Sequence, residues 1–328
     1  MHETRAAAPD GAVLATIGRK RIAIALSGAD GALRTDTIRS YESEATTGVT
    51  AALLAFQSDL QLTRLPSRTA IAVAGLVRGD AISITNTRWF VSRSGLQAML
   101  GEPPLILNDF AAEAWAIGSV AIRAGETFGG AATPAIQAPG CYAVIGITSG
   151  LGVAVVNRVA SGAMTVLPTE AGHGTFAGVT PELAAIAAAL FPGRHAAAED
   201  LVSARGLVAI HNRLAEQRGG AAPVERPEDV TRTAASNPVA RAACELLAKA
   251  FWAQAGSLVM TFGAWDGVVV TGALANAIRP FLRRPEAQAL FMASAKHQRT
   301  LQTVPHAFVS IDNAELVGLA QALRNERA

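Results

Sequence analysis

An α/β protein in two parts is predicted by three features of this 328-residue sequence. Short, continuous apolar runs of the kind buried on both faces of a sheet recur, and helical stretches follow them. Each half of the chain opens on a hairpin of two apolar strands whose turn is tight or glycine-rich. The length also exceeds what a single hydrophobic core supports, so two domains are expected. The repetition points to a duplicated architecture with a cleft between the copies.

Residues 1–11 read as a loose, Ala-rich leader. Val13–Ile17 and Ile22–Leu26 are apolar strands separated only by Gly18-Arg19-Lys20-Arg21, hence a tight hairpin. Val49–Leu60 has helical spacing, Ala70–Gly75 is a buried strand, and Ser94–Leu100 is a further helix. Leu105-Ile106-Leu107 reads as a short buried strand, and the run after Phe110 as a helix with Asn108 or Asp109 near its N-cap. An Asn-Asp pair therefore stands where a strand ends and a helix begins, the place where open α/β sheets bind ligands. A capping carboxylate would need no function to stand there.

In the second half, Tyr142–Ile145 and Val153–Val156 form a hairpin whose turn is read as Gly146–Gly152. Val239–Phe262 is a long, mostly buried helix, and Gly267–Thr271 a buried strand that ends in Gly272-Ala273 before a helix. Asn313–Arg327 is a closing amphipathic helix whose stripe, Leu316, Leu319 and Leu323, needs a partner. The division expected is a small α/β domain of residues 12–118 with 313–328, and a large one of 119–312.

Half of the residues are hydrophobic and 16% are charged, which excludes a disordered chain. The formal net charge is +2 with Lys and Arg scattered, so nothing favours nucleic acid or an anionic membrane. Cys141 and Cys244 alone make neither a disulfide framework nor a Cys-rich zinc site. The start, Met1-His2-Glu3-Thr4-Arg5, carries early charges and no apolar core of a signal peptide. Thr127–Asn157 lacks charge but is broken by Pro134 and Pro139, and Ala250–Trp265 is too short to span a bilayer. A cytoplasmic protein is expected.

Three segments carry possible chemistry. The glycines of Gly146-Ile147-Thr148-Ser149-Gly150-Leu151-Gly152 suit a phosphate cradle, with the Ser149 hydroxyl added, although any tight turn favours glycine. In Leu167-Pro168-Thr169-Glu170-Ala171-Gly172-His173, Glu170 and His173 are spaced to share one face of a helical turn. A metal there would need a second Glu-x-x-His copy, which is absent. The pair suits a polyhydroxylated ligand, or is a surface Glu beside a satisfied His. Glu199 opens a helix, where the dipole alone favours an acid.

In order, the chain shows Thr85-Asn86-x-x-Trp89, Asn108-Asp109-Phe110, Ser149-Gly150-Leu151-Gly152-Val153, Leu167-Pro168-x-Glu170-x-Gly172-His173, Glu199, Val270-Thr271-Gly272 and Asp312-Asn313. This ordered set resembles the bacterial glucokinase family, within the sugar-kinase and actin-like superfamily, from about Val13 to Arg324. The resemblance implies a two-domain ribonuclease H-like (actin-like ATPase/hexokinase) fold. It implies ATP-dependent phosphorylation of glucose, or a similar hexose, on the 6-hydroxyl, feeding glycolysis. Asp109 matches the family's catalytic base. Asn108, Glu170, His173 and Glu199 match the residues that hold the sugar hydroxyls. ATP with Mg²⁺ is implied, with Gly18, Ser149, Gly150, Gly152 and Gly272 on the nucleotide and no metal held by the protein alone. A homodimer is the implied assembly.

The chain departs from the family at the first hairpin, which there reads Asp-x-Gly-Gly-Thr-x-x-Arg. Here the window reads Thr16-Ile17-Gly18-Arg19-Lys20-Arg21-Ile22-Ala23. The carboxylate that would orient the Mg²⁺ shell has become Thr16, the second glycine Arg19, the hydroxyl residue Lys20 and the closing arginine Ala23. A positive φ at Arg19 would cost about 1–2 kcal/mol, so a reshaped turn is expected. Thr148 replaces a glycine in the second hairpin, and Ala273 replaces one at the adenosine strand. Two readings follow. In the first, a working kinase uses Arg19, Lys20 and Arg21 as a substitute phosphate clamp. In the second, a pseudokinase senses hexose without turnover, since outer-shell metal partners are worth about 10–100-fold. The retained Asp109 favours the kinase.

Overall fold

In the computed structural model of the chain, Val13–Ile17 (β1) turns through the two-residue tip Arg19-Lys20 into Arg21–Ser27 (β2). The structure describes residues 11–326 except 86, 88, 123–126, 129–131, 177, 220 and 221. The expected leader, apart from Gly11, and Asn86 of the Thr85–Trp89 motif lie outside the described residues. Leu33–Glu42 (β3) completes an antiparallel meander, and Thr69–Val73 (β4) pairs parallel to β1. After a small hairpin of Ala81–Ser83 (β5) and Phe90–Ser92 (β6), Leu105–Asn108 (β7) pairs parallel to β4. The sheet order is β3-β2-β1-β4-β7.

Alternation along β1 sorts its side chains between two layers. Val13, Ala15 and Ile17 pack with Leu53 and Phe56 of Val49–Asp59 (α1) and Leu96 of Arg93–Leu100 (α2). Leu14 packs on the other face with Ala112 of Asp109–Gly118 (α3).

The second sheet repeats the order of the first. Gly140–Ile147 (β8), Leu151–Arg158 (β9) and Met164–Thr169 (β10) form a meander. Gly267–Thr271 (β11) pairs parallel to β8, and His306–Phe308 (β12) to β11, giving β10-β9-β8-β11-β12. The turn of this hairpin is shorter than the sequence suggests. Gly146 and Gly152 face each other within the ladder, leaving only Thr148-Ser149-Gly150 outside it. Neither glycine has a positive φ, and burial of Ile145, Ile147, Leu151 and Val153 carries both strands through them.

Pro181–Leu190 (α4), Ala198–Leu201 (α5), Ala204–Gln217 (α6), Pro227–Thr233 (α7) and Pro238–Phe262 (α8) precede β11. Ala273–Ala277 (α9), Arg279–Leu282 (α10), Pro285–Gln288 (α11) and Gln298–Leu301 (α12) follow it. The core of this part centres on Trp252 of α8, edge-on to Phe128, Phe251 and Phe291. Its indole N–H is satisfied by the Leu282 carbonyl at 2.9 Å.

Ala314–Asn325 (α13) packs against α3, β1 and β4, burying Leu316, Leu319 and Leu323 beside Leu14, Ala70, Ala72 and Ala112. Gly318 makes this approach possible, because a Cβ there would lie 1.6 Å from the Ala112 carbonyl oxygen. The chain thus divides into two compact units, Met1–Ser119 with Ile311–Ala328, and Val120–Ser310. Among the described residues, no helix is long and apolar enough to cross a membrane.

Candidate functional site

In the first unit, β1, β4 and β7 end in one row, with Ile17 beside Val73 and Val73 beside Asn108. Asn108 caps α3, its Oδ1 accepting from the Phe110 and Ala111 amides at 3.0 and 3.1 Å. Its Nδ2 donates to the Gly75 carbonyl at 3.2 Å, so both ends of the amide are held. Gly75 in turn lies under the Thr85 segment, where a Cβ would come within 2.5 Å of the Ser83 carbonyl oxygen. Asp109 is the first residue of α3 and accepts from the Phe110 amide at 2.8 Å. A carboxylate here is stabilised in its ionised form by the helix dipole.

The β1–β2 tip takes a shape that needs no left-handed residue. Gly18 N donates to the Arg21 carbonyl at 3.0 Å, and Arg19 and Lys20 have no positive φ. Arg19 therefore carries none of the backbone strain that a left-handed conformation would cost it. Ser43 braces it, its amide on the Lys20 carbonyl and its hydroxyl on that of Gly18. Arg19, Lys20 and Arg21 are all exposed, and Arg21 lies 3.5 Å from Glu42. Thr16 is half-buried on the α3/α13 side of β1, near Glu315 of α13. Burial and the neighbouring Asp109 and Glu113 charges push the Glu315 carboxyl up to about 7, against which the Thr16 hydroxyl pulls only weakly.

In the second unit, three predicted residues gather around Leu151, the first residue of β9. Glu199 Oε2 accepts from the Leu151 amide at 3.1 Å, and Oε1 accepts from Arg205 at 3.0 Å. Glu170 and His173 flank a short 3₁₀ turn, their carboxylate and imidazole 3.8 Å apart and both exposed. The turn sits on Leu151 because Gly172 has no side chain; a Cβ would lie 2.1 Å from the Leu151 carbonyl oxygen. Gly150 is similarly constrained by Glu199, whose Oε2 would be 2.4 Å from an added Cβ. Gly272, at the end of β11, has a φ of +101° and would bring a Cβ within 2.4 Å of the Ile147 carbonyl oxygen. Ser149, Gly150 and Gly152 therefore share one end of the sheet with Gly272.

The sequence reading missed two residues of these clusters. Arg205 holds Glu199 across the break between α5 and α6, and Glu315 of α13 stands near Thr16 of β1. Neither shows in a local pattern: Arg205 is an ordinary exposed helix residue, and Glu315 an ordinary first-turn acid. Among the described residues, no group of three or more His, Cys, Asp or Glu side chains is arranged to hold a metal ion. Glu315 and Thr16 offer hard oxygen donors suited to Mg²⁺, which characteristically binds one or two carboxylates together with substrate phosphates.

A family model described as Glucokinase matches residues 13–326. The glucokinase of Xanthomonas campestris pv. campestris is 38% identical over 265 residues, 78% of each chain. That of Stenotrophomonas maltophilia is 36% identical over 306 residues, covering 92% of this chain and 90% of its own. Among solved structures, a glucokinase from an Antarctic psychrotroph superposes with a TM-score of 0.79 at 23% identity, covering 96% of this chain and 99% of its own.

Proposed function

Since the chain belongs to the glucokinase family, with that family's two-domain actin-like fold, we propose that it transfers the γ-phosphoryl group of ATP to the 6-hydroxyl of glucose with Asp109 as base. Glucose phosphorylation by ATP is the family's activity, and nothing in the comparisons favours a pseudokinase. The observation that carries the residue assignment is the bonding of the Asn108-Asp109 pair. Asn108 fixes the start of α3 with both ends of its amide, so Asp109 is held in place as the first residue of the helix. A carboxylate placed so takes the proton of a sugar hydroxyl as the oxygen attacks.

Glu170, His173 and Glu199 supply acceptors and a donor for the other hydroxyls, and their common seat on Leu151 supports that role. Ser149, Gly150, Gly152 and Gly272 offer backbone close to where phosphates would lie. ATP, accompanied by Mg²⁺, supplies the transferable phosphoryl group. The deciding experiment is a coupled assay with Mg-ATP and glucose beside calorimetry of glucose binding on the same sample. Turnover with binding supports the reading, binding with negligible turnover would establish a hexose sensor instead, and no binding at millimolar glucose would overturn both.

A further inference from the structure

We propose that Arg205 is a positioning residue for the sugar: its guanidinium fixes the plane of the Glu199 carboxylate, and so sets how tightly glucose is held without taking part in phosphoryl transfer. The inference rests on the reading of Glu199 as a sugar ligand given above.

The start of α6 is held through its backbone. Ser203 is fully buried and caps the helix, its hydroxyl accepting from the Gly206 amide at 3.0 Å. Gly206 lies against the end of α5, where an added Cβ would meet the Leu201 carbonyl oxygen at 2.1 Å. The Ala204 amide donates to the Thr148 carbonyl at 3.0 Å, tying the same helix start to the β8–β9 turn. Arg205 therefore leaves a fixed point of backbone, and its Nη2 reaches Glu199 Oε1 at 3.0 Å. The other oxygen, Oε2, takes the Leu151 amide at 3.1 Å. A donor on each oxygen stops rotation about the terminal torsion of the side chain, which is otherwise broad. Of the roughly four lone-pair positions of a carboxylate, about two remain for sugar hydroxyls, in directions that Arg205 and Leu151 together define.

Helix stability does not call for a cation here. Arg205 is the second residue of α6, and the dipole at a helix N-terminus disfavours positive charge. Its side chain is 77% exposed and so adds little to the core. Nor does the other acid of α5 need it, because Asp200 bonds the Ala197 amide at 2.8 Å and is paired with Arg194 at 2.6 Å. What the position supplies is a charge-assisted donor to a carboxylate that is itself only 18% exposed. Such a pair contributes little to folding when one partner stands in solvent. It can still hold a ligand-binding group in one orientation before the ligand arrives, which lowers the ordering cost of binding. The β8–β9 turn is braced by the Ala204 backbone and not by the Arg205 side chain. Loss of that side chain should therefore separate sugar affinity from nucleotide handling.

The test is calorimetry of glucose binding, steady-state kinetics and thermal unfolding on the wild type, Arg205→Ala, Arg205→Lys, Glu199→Gln and the double variant Arg205→Ala with Glu199→Gln. Arg205→Ala should weaken glucose binding by about threefold to tenfold, with the unfolding temperature unchanged. Its kcat at saturating glucose and its KM for ATP should stay within about twofold of wild type, as expected when only ground-state sugar binding is lost. Arg205→Lys, which can still donate to Oε1, should lose less. The double variant should bind glucose no more weakly than Glu199→Gln alone, because Arg205 acts through that carboxylate. A purely structural ion pair would instead lower the unfolding temperature of Arg205→Ala and leave its glucose affinity at the wild-type value, and that result overturns the proposal. Additive losses in the double variant overturn it too, as does a KM for ATP that rises in step with that for glucose. A wild-type glucose affinity in Glu199→Gln would refute the sugar role of Glu199 and remove the proposal with it, whereas a loss there beside intact binding in both Arg205 variants would refute the proposal alone.

Discussion

The β1–β2 and β8–β9 hairpins hold the same place in two sheets of identical strand order, yet their turns carry opposite chemistry. The second is closed by Thr148-Ser149-Gly150 and pressed by Glu199, so its shape depends on the absence of a side chain at Gly150. The first is closed by two exposed cations and depends on no left-handed residue, with Glu42 of the neighbouring strand 3.5 Å from Arg21. A turn whose backbone is packed from outside resists substitution. A turn that stands in solvent tolerates it.

The largest effect expected leaves both turns intact. Asp109→Asn should lower kcat by about 10²–10⁴-fold while glucose binding by calorimetry stays within a few-fold of wild type. Retained turnover would show that base catalysis does not pass through α3.

The contrast between the turns is tested next by matched glycine substitutions. Gly150→Ala forces the Glu199 carboxylate off Leu151, and glucose affinity should fall by about tenfold or more. Gly18→Ala meets only the Arg21 carbonyl oxygen at 3.2 Å and should change glucose affinity by less than about twofold. Glu199→Ala should cost about 1–3 kcal/mol of glucose binding, because it strips the acceptor from the Leu151 amide and from Arg205. Equal responses to the two glycine changes would erase the distinction between the hairpins.

The cost of carrying charge on α13 is read from stability against pH. An ordinary Glu, at 4.5, has lost its proton in the unfolded chain at pH values where folded Glu315, raised to about 7, still holds it. Stability should therefore fall as pH rises from about 4.5 to about 7, and stay lowered above that. Glu315→Gln should be more stable than wild type above pH 7, by on the order of 2 kcal/mol after discounting for partial exposure, and nearly equal to it at pH 5. Urea denaturation at pH 5 and pH 8 gives both numbers; a constant difference would remove Glu315 as the titrating group.

The smallest effect concerns the tip itself. Arg19→Ala with Lys20→Ala removes two solvated cations, and the KM for ATP should rise by less than about threefold in assays at physiological salt. A rise above about tenfold would make the tip a phosphate clamp and reverse the comparison.

Strands with apolar residues on both faces, such as β4 and β11, were legible in the sequence because every position is buried. β3 was not, because it is an edge strand whose polar residues face solvent and only Thr37 is buried among ten. β10 was hidden for a similar reason, with Leu167 exposed on a second edge. The second turn was read too long, since glycine favours turns in general while strand pairing at Gly146 and Gly152 is decided by their buried neighbours. The Asn108 cap and the Glu170–His173 pair could be read because their partners lie within three residues. Arg205 on Glu199 and Glu315 near Thr16 are matters of tertiary packing, which no local period reports.

The seat of α13 on α3 also sets an order of events during synthesis. Residues 13–108 emerge first and contain every strand of their sheet, but one face of that sheet is covered by Leu316, Leu319 and Leu323. That face stays wet until α13 has left the ribosome. Val120–Ser310 is continuous and holds its own core, so it can complete folding while the earlier-made sheet still waits. The usual expectation that the N-terminal part folds first is thereby inverted, and a chain truncated before residue 314 should display a protease-resistant second unit behind a protease-sensitive first.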